Sequence, residues 1–143
     1  LREGIPFPEN SVSKIYASHL LEHFDPDDLL LLLNACVKVL RAGGTLSVGV
    51  PNAKTYISAY VHDRDLDREE FFRFERAYRY FSRIDYINYV AYMAGQHKHM
   101  FDEDNLVAVL KAGGFKNARI RDFDASIDPV DRRCQSIYAV GEK

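Results

Sequence analysis

One pattern occurs twice in this chain, and it limits the possible folds more than any other feature. In each copy a Phe-Asp pair opens an apolar segment with helical spacing, and two glycines close it. The copies begin at Phe24-Asp25 and Phe101-Asp102, and they close at Gly43-Gly44 and Gly113-Gly114. Asp at the N-cap and acidic residues in the first turn start a helix, whereas glycine permits the positive φ that ends one. A β-prone run follows each copy, so the sequence predicts two helix-strand units.

The order of these elements predicts an α/β fold. The first helix is expected to run from about Pro26 to about Arg41, with Pro26 at its first position. Apolar, β-prone runs predict strands at residues 13–18, 45–50, 118–123 and 136–140. Alternation of strands and helices favours a mainly parallel sheet. Only residues 124–133 join the last two strands, without a helical pattern, so that pair is predicted to be antiparallel.

Residues 53–100 interrupt this order with a stretch that is rich in aromatic side chains. The rings are Tyr56, Tyr60, Phe71, Phe72, Phe74, Tyr78, Tyr80, Phe81, Tyr86, Tyr89 and Tyr92. Charged residues alternate with them, which predicts one or two amphipathic helices inserted in a single domain that spans residues 1–143. Two interpretations stay open. The rings either anchor the insertion on the core or form a lid that faces a substrate.

Charge and cysteine content exclude several classes of function. The net charge is -2, which gives no electrostatic footprint for nucleic acid or for an anionic membrane. No apolar run is long enough to cross a bilayer. Cys36 and Cys134 lie far apart, so neither a disulfide framework nor a zinc knuckle is expected, and no metal site is predicted. We expect a cytoplasmic protein whose partner is a small molecule.

Three consecutive segments carry a family resemblance. They are Ile5-Pro6-Phe7-Pro8-Glu9-Asn10-Ser11-Val12, then Ile15-Tyr16-Ala17-Ser18-His19-Leu20-Leu21-Glu22-His23-Phe24, then Val39-Leu40-Arg41-Ala42-Gly43-Gly44-Thr45-Leu46. Their order and spacing resemble the methyltransferase type 11 family of class I S-adenosylmethionine-dependent methyltransferases. Lys38 and Ala42 depart slightly from the family's pattern at the end of the helix. The later Gly113-Gly114-Phe115 is similar to the family's next helix end.

The resemblance implies a Rossmann-like, three-layer αβα sheet of order 3-2-1-4-5-7-6, with an antiparallel seventh strand. The four predicted strands would be the fourth to the seventh, so the domain is expected to be partial. The glycine-rich loop after the first strand and the acidic end of the second strand are not in this sequence. Residues 14–18 would therefore form a sheet edge. We expect either a piece of a longer protein or a homo-oligomer, in which a second copy contacts this edge or the lid.

The resemblance also implies S-adenosylmethionine as the cofactor and places its contacts in two segments of the chain. Those contacts are Leu1 and Arg2 in the first segment, and Ser18, His19 and Leu20 in the second. Ligands of such sheets bind beyond the carboxyl ends of the strands, so His23 and Asn52 are predicted to contact the methyl acceptor. Three histidines are candidates for acceptor-side catalysis. They are His19, His97 and His99. An alternative for His97 and His99 is a solvated loop that precedes a helix cap.

The predicted function is S-adenosylmethionine-dependent methyl transfer to a small-molecule acceptor. Two alternatives stay open. A non-catalytic methyltransferase-like module would assemble with a partner through the open sheet edge. His19-Leu20-Leu21-Glu22-His23 also spells H-x-x-E-H, a zinc-peptidase motif that requires both histidines on one face of a helix. Here the motif follows a β-prone run and precedes the predicted helix, which argues against that alternative.

Overall fold

Four strands form one mixed sheet in the structure, a computed structural model that describes residues 4–72 and 80–143. The strands are β1 (Val12–Ser18), β2 (Leu40–Pro51), β3 (Lys116–Arg121) and β4 (Ser136–Glu142). Their order is β1-β2-β4-β3. β1 and β2 run parallel, with Ala17 opposite Val48, whereas β4 is antiparallel to both β2 and β3. This is the predicted arrangement of the fourth, fifth, seventh and sixth strands, and β1 lies at the edge of the described sheet.

Helix α1 (Pro26–Val39) begins where the capping pattern predicts. Asp25 has an extended backbone, and its side chain accepts a hydrogen bond of 3.0 Å from the backbone N–H of Asp28. Phe24 is partly buried against the core that holds Leu29, so the two side chains lie on the same apolar surface. Helix α4 (Glu103–Ala112) repeats this start, since Asp102 accepts a 2.8 Å hydrogen bond from the N–H of Asn105.

Replacing Asp25 by alanine is expected to lower the free energy of unfolding by about 1 kcal/mol, because one N–H of the first turn loses its partner. Asp27→Ala is the matched control, since Asp27 lies in the same turn and does not cap it. Urea denaturation followed by circular dichroism measures both variants. Equal losses of stability for the two would contradict the capping role.

The end of α1 differs from the prediction. The helix ends at Val39 rather than near Arg41, because Leu40 is already extended and fully buried as the first residue of β2. Gly43 has the expected positive φ of 72°, but it lies within β2, where the pairing with β1 shifts between Val12 and Lys14. Both glycines therefore belong to the irregular first part of β2 and do not cap α1.

The main core lies between the sheet and the two helices α1 and α4. It contains Leu33 and Leu110 from these helices, and Leu46, Val48 and Ala139 from the strands, all at most 1% exposed. The helices approach closely at Gly113, where an added Cβ would lie 2.5 Å from the Cβ of Leu33. Glycine is therefore required at this position by packing, since its φ is -73°.

The opposite face of the sheet carries polar side chains. Asp128, whose side chain is fully buried, accepts hydrogen bonds from the guanidinium of Arg121 and from the hydroxyl of Tyr16. The guanidinium also lies 5.0 Å from the ring centroid of Tyr138. An added Cβ at Gly49 would lie 2.9 Å from that ring, so β2 needs glycine there. These contacts connect β1, β3 and β4 across the face.

The aromatic insertion forms its own apolar cluster at the carboxyl ends of β1 and β2. It contains α2 (Ala53–Val61), two 3-10 turns (Leu66–Arg68 and Glu70–Phe72) and α3 (Ile84–Tyr92). Tyr56, Phe71, Phe72 and Tyr86 contact one another edge-on or tilted, with ring centroids 4.6 to 5.1 Å apart. The expected helices are present, and the rings pack on one another within the insertion. Phe74 and Tyr78 lie outside the described residues.

None of the helices in the described part of the chain is both long and apolar enough to cross a membrane.

Candidate functional site

The tip of β1 carries the first candidate residue, His19. Its φ is 48°, a left-handed conformation that histidine tolerates better than most residues. The backbone N–H of His19 donates to the carbonyl of Gly49 in β2, and its Nε2 lies 2.8 Å from the hydroxyl of Ser136 at the start of β4. The ring is therefore held beside the carboxyl ends of β1 and β2, where ligands of such sheets bind.

The segment from His97 to Phe101 is fixed above these tips by backbone hydrogen bonds. The N–H groups of Lys98 and His99 donate to the carbonyl of Glu22, at 2.7 and 3.2 Å. The N–H of Ala53 donates to the carbonyl of Phe101. Two parts of the chain that are distant in sequence are thus held together beside the first two strands.

A pocket of about 150 Å³ lies beside the carboxyl ends of β1 and β2. It is lined by His19, Pro51, Tyr56, Phe71, Tyr89, Val90, Met93, His97, Arg132 and Gln135. The Tyr56 hydroxyl donates to Gln135 at 2.9 Å, which holds the insertion against the 3-10 turn Val130–Gln135. The aromatic insertion is therefore bound to the 3-10 turn through Tyr56, and it forms one wall of this pocket.

Hydrogen bonding determines which nitrogen of His97 faces the cavities. Its Nδ1 lies 2.6 Å from the carbonyl oxygen of Val90. A carbonyl only accepts, so Nδ1 carries the hydrogen, and Nε2 of the neutral ring keeps its lone pair. Burial lowers the pKa of His97, although the bond to Val90 opposes this change. His97 is buried, so the solvated-loop alternative is wrong for this residue.

His19 is even less basic. Burial, with help from the positive charge of Arg132, lowers the pKa of His19 to about 3. A general base works best when its pKa is near the working pH. At neutral pH this ring is uncharged and suits a hydrogen-bonding role better than proton removal.

The remaining predicted acceptor-side residues occupy three different environments. Nε2 of His99 lies 2.9 Å from Oδ1 of Asn105, and His99 shares a small cavity with His97. Asn52 caps α2 by accepting from the N–H of Lys54, and its amide donates to Glu103 at 3.4 Å. Its polar atoms thus serve the helix start. Nδ1 of His23 lies 3.1 Å from the carbonyl of Gln96.

Only some of the predicted cofactor contacts lie in the part of the chain that the structure describes. Ser18 and Leu20 flank His19 at the tip of β1, and Leu20 is 38% exposed. Leu1 and Arg2 lie outside the described residues. The contacts with cofactor and acceptor therefore stay predictions.

The zinc-peptidase alternative lacks its required geometry. Residues Leu21–His23 form a single 3-10 turn, and His19 lies before it with a left-handed backbone. His19 and His23 therefore do not share the face of an α-helix.

Sequence reasoning missed several residues of the pocket and of the small cavity that shares His97 with it. Glu22 was noted only within the H-x-x-E-H motif, yet it is 2% exposed, and burial raises the pKa of its carboxyl group. Arg132 and Gln135 lie in the loop before β4, where no local pattern distinguishes them from solvated residues. Their role depends on the contact between this loop and the insertion.

Comparison with known proteins agrees with the fold described above. Residues 2–48 match the family model described as a methyltransferase domain. A methyltransferase of Mesorhizobium loti that depends on S-adenosylmethionine superposes with a TM-score of 0.57 at 17% identity, over 100% of this chain and 67% of that one. The chain has a class I methyltransferase fold.

Two further solved structures share this methyltransferase fold. One is an S-adenosylmethionine-dependent methyltransferase of Thermotoga maritima, with a TM-score of 0.58, 14% identity, and coverage of 99% of this chain and 61% of that one. The other is PigF with S-adenosylhomocysteine, with a TM-score of 0.57, 16% identity, and coverage of 96% and 32%. Among the curated proteins there is no match. The chain spans about one third to two thirds of the length of these structures.

Proposed function

We propose that this chain provides the acceptor side of an S-adenosylmethionine-dependent methyltransferase that acts on a small molecule. The observation that carries the proposal is the pocket beyond the tips of β1 and β2, where His19 and His97 face one cavity. The family match and the methyltransferase fold support S-adenosylmethionine as the cofactor.

The size and lining of the pocket favour a small acceptor or the small end of a larger one. A volume of about 150 Å³ is about that of an engineered cavity that holds one benzene molecule. Aromatic rings form much of the wall, and the polar groups of His19, His97, Arg132 and Gln135 lie among them, a combination that small-molecule sites commonly show. Arg132 gives the pocket a positive charge, so a neutral or anionic acceptor fits better than a cationic one.

Bound S-adenosylmethionine would supply a methyl group on a positively charged sulfur. The methyl group leaves in line as the acceptor attacks, so the protein mainly aligns the acceptor and excludes water. Ser18, His19 and Leu20 at the edge strand fit the predicted cofactor side, because the tip of β1 is not covered there by a further described strand. His97 would position the attacking group of the acceptor, because its ring lines the pocket.

Calorimetric titration of the full-length protein with S-adenosylhomocysteine tests this proposal. We expect binding, and a ligand concentration 100 times the Kd should stabilise the fold by about 2.7 kcal/mol. Leu20→Glu should weaken binding at least about 10-fold, because it buries a charge against the cofactor. Leu31→Glu is the matched control, since Leu31 is also an exposed leucine, 63% accessible, on α1.

If S-adenosylhomocysteine produces neither heat nor a thermal shift with the full-length protein, the result would contradict the proposed methyltransferase function. Equal affinities in the two leucine variants would contradict the placement of the cofactor beside Leu20.

A further inference from the structure

Three side chains form a second polar cluster next to the pocket. They are Glu22, His23 and His97, and one ligand atom from each lies within 4.8 Å of the other two. The rings of His23 and His97 meet edge to face, with centroids 5.0 Å apart. Nε2 of His23 lies 3.9 Å from Oε1 of Glu22. Two imidazoles and one carboxylate therefore converge on one point.

Glu22 is in an unusual state for a carboxylate. It is 2% exposed, and its Oε2 has no hydrogen-bond partner among the described residues. Burying a carboxylate oxygen without a partner is costly, and a bound ion or water molecule beside it would offset that cost. Glu22 and His97 both line a cavity of about 10 Å³, which is room for a single ion or a water molecule.

The two histidines are oriented as metal ligands usually are. Nδ1 of His97 donates to the carbonyl of Val90, and Nδ1 of His23 lies 3.1 Å from the carbonyl of Gln96. Both backbone acceptors fix the tautomer that leaves Nε2 with its lone pair. Metal-bound histidines typically donate their other ring nitrogen in this way.

From these contacts we propose that Glu22, His23 and His97 bind a divalent transition-metal ion, with zinc as the reference ion. Two histidines and one glutamate form a known ligand set for zinc with an open fourth position. The Zn–N and Zn–O bonds are about 2.0 to 2.2 Å long, so the side chains must move together by about 1 Å. Hydrogen bonds from Lys98 and His99 to the carbonyl of Glu22 hold the two contributing segments in place.

His19 lies beside this site and completes its surroundings. Its Nδ1 is 3.7 Å from Oε1 of Glu22, and it lines the larger pocket together with His97. The open position of the ion would therefore face the pocket. If the proposed function holds, an oxygen of the acceptor would bind there, and the ion would make its proton easier to remove.

Zinc binding by the full-length protein tests the site independently of methyl transfer. The protein is prepared without a polyhistidine tag, treated with chelator and titrated with ZnCl₂, and with CoCl₂ for its visible absorption. We expect one ion per chain. Glu22→Gln and His23→Ala should each weaken zinc binding about 100-fold or more, since each removes a direct ligand.

His62→Ala is the matched control. His62 is an exposed histidine at the end of α2, bonded to the carbonyl of Ser58, and its loss should leave zinc affinity unchanged. His23 is partly exposed, so its variant should fold even if the Glu22 variant does not; thermal melts check both. Equal zinc affinity in the wild-type protein and the His23 variant would overturn the site, and so would the absence of stoichiometric binding.

The outcomes separate this inference from the proposed function. Zinc binding without S-adenosylhomocysteine binding would support the metal site and contradict the methyltransferase. Cofactor binding without zinc binding would support the methyltransferase and contradict the metal site. The cavity beside Glu22 would then hold only water.

Discussion

Replacing Asp128 by asparagine is expected to lower the free energy of unfolding by about 3 kcal/mol at pH 7, because it leaves a buried arginine without its counter-charge. Asp128 accepts two hydrogen bonds of 2.6 Å from the guanidinium of Arg121, and further bonds from the Tyr16 hydroxyl and the N–H of Asp124. The side chain of Arg121 is only 16% exposed, so solvent replaces little of the lost interaction. Urea denaturation of both proteins measures the difference.

The same pair should depend on pH in a defined direction. Burial raises the pKa of Asp128, but hydrogen bonds from Arg121, Asp124 and Tyr16 outweigh it and leave this pKa below its usual value. A carboxyl group whose pKa is lower in the folded state stabilises the fold at pH values above its pKa in the unfolded chain, about 3.9. This contribution is lost as the pH falls through the pKa of the folded state. The stability gap between the wild-type protein and Asp128→Asn should therefore be constant from about pH 5 to 8 and shrink below about pH 4.

Asp122→Asn is the control for this prediction, because Asp122 is exposed in the same loop. Its effect should stay within about 0.5 kcal/mol, as for most surface substitutions. The ionic role of Asp128 would be contradicted if the difference in free energy of unfolding between the wild-type protein and Asp128→Asn did not change between pH 7 and 3.

Replacing His97 by alanine is expected to lower kcat/KM for methyl transfer at least about 100-fold, because the acceptor loses the side chain proposed to hold its attacking group. Methyl-labelled S-adenosylmethionine and a panel of hydroxylated and aminated small molecules identify the acceptor for this assay. Affinity for S-adenosylhomocysteine should change little, since His97 lies on the acceptor side of the pocket.

His62→Ala is again the control, because His62 lies outside the pocket. Thermal melts of the His97 variant show whether the loss of its bond to Val90 unfolds the insertion. Full activity in a folded His97→Ala protein would exclude His97 from the acceptor site and favour a different wall of the pocket.

The sequence predicted the elements that depend on local interactions. Asp25 and Asp102 cap their helices as expected, because a cap involves residues only three positions apart. The antiparallel pairing of β3 and β4 followed from the short connection between them. The predicted end of α1, near Arg41, lies two residues after the observed end at Val39, because burial of Leu40 in the sheet overrides the glycine signal.

The family resemblance supplied the strand order, which local patterns alone could not. The candidate histidines were found as residue types, and the structure shows which of them share a pocket. His19 and His97 line one cavity, whereas the polar atoms of Asn52 are used in capping α2. No spacing rule predicts this difference, because it depends on how the insertion packs against the strand tips.

The sequence by itself thus determined where the two capped helices begin, the antiparallel direction of the last strand pair and the residue types available for chemistry, because these depend on neighbours along the chain. Only the tertiary structure decided that Glu22 is buried beside His97, that two backbone carbonyls set the tautomers of His23 and His97, and that Asp128 spans the far face of the sheet. Burial and hydrogen bonding between distant segments arise when the chain packs, and they set the charge state and orientation of each group.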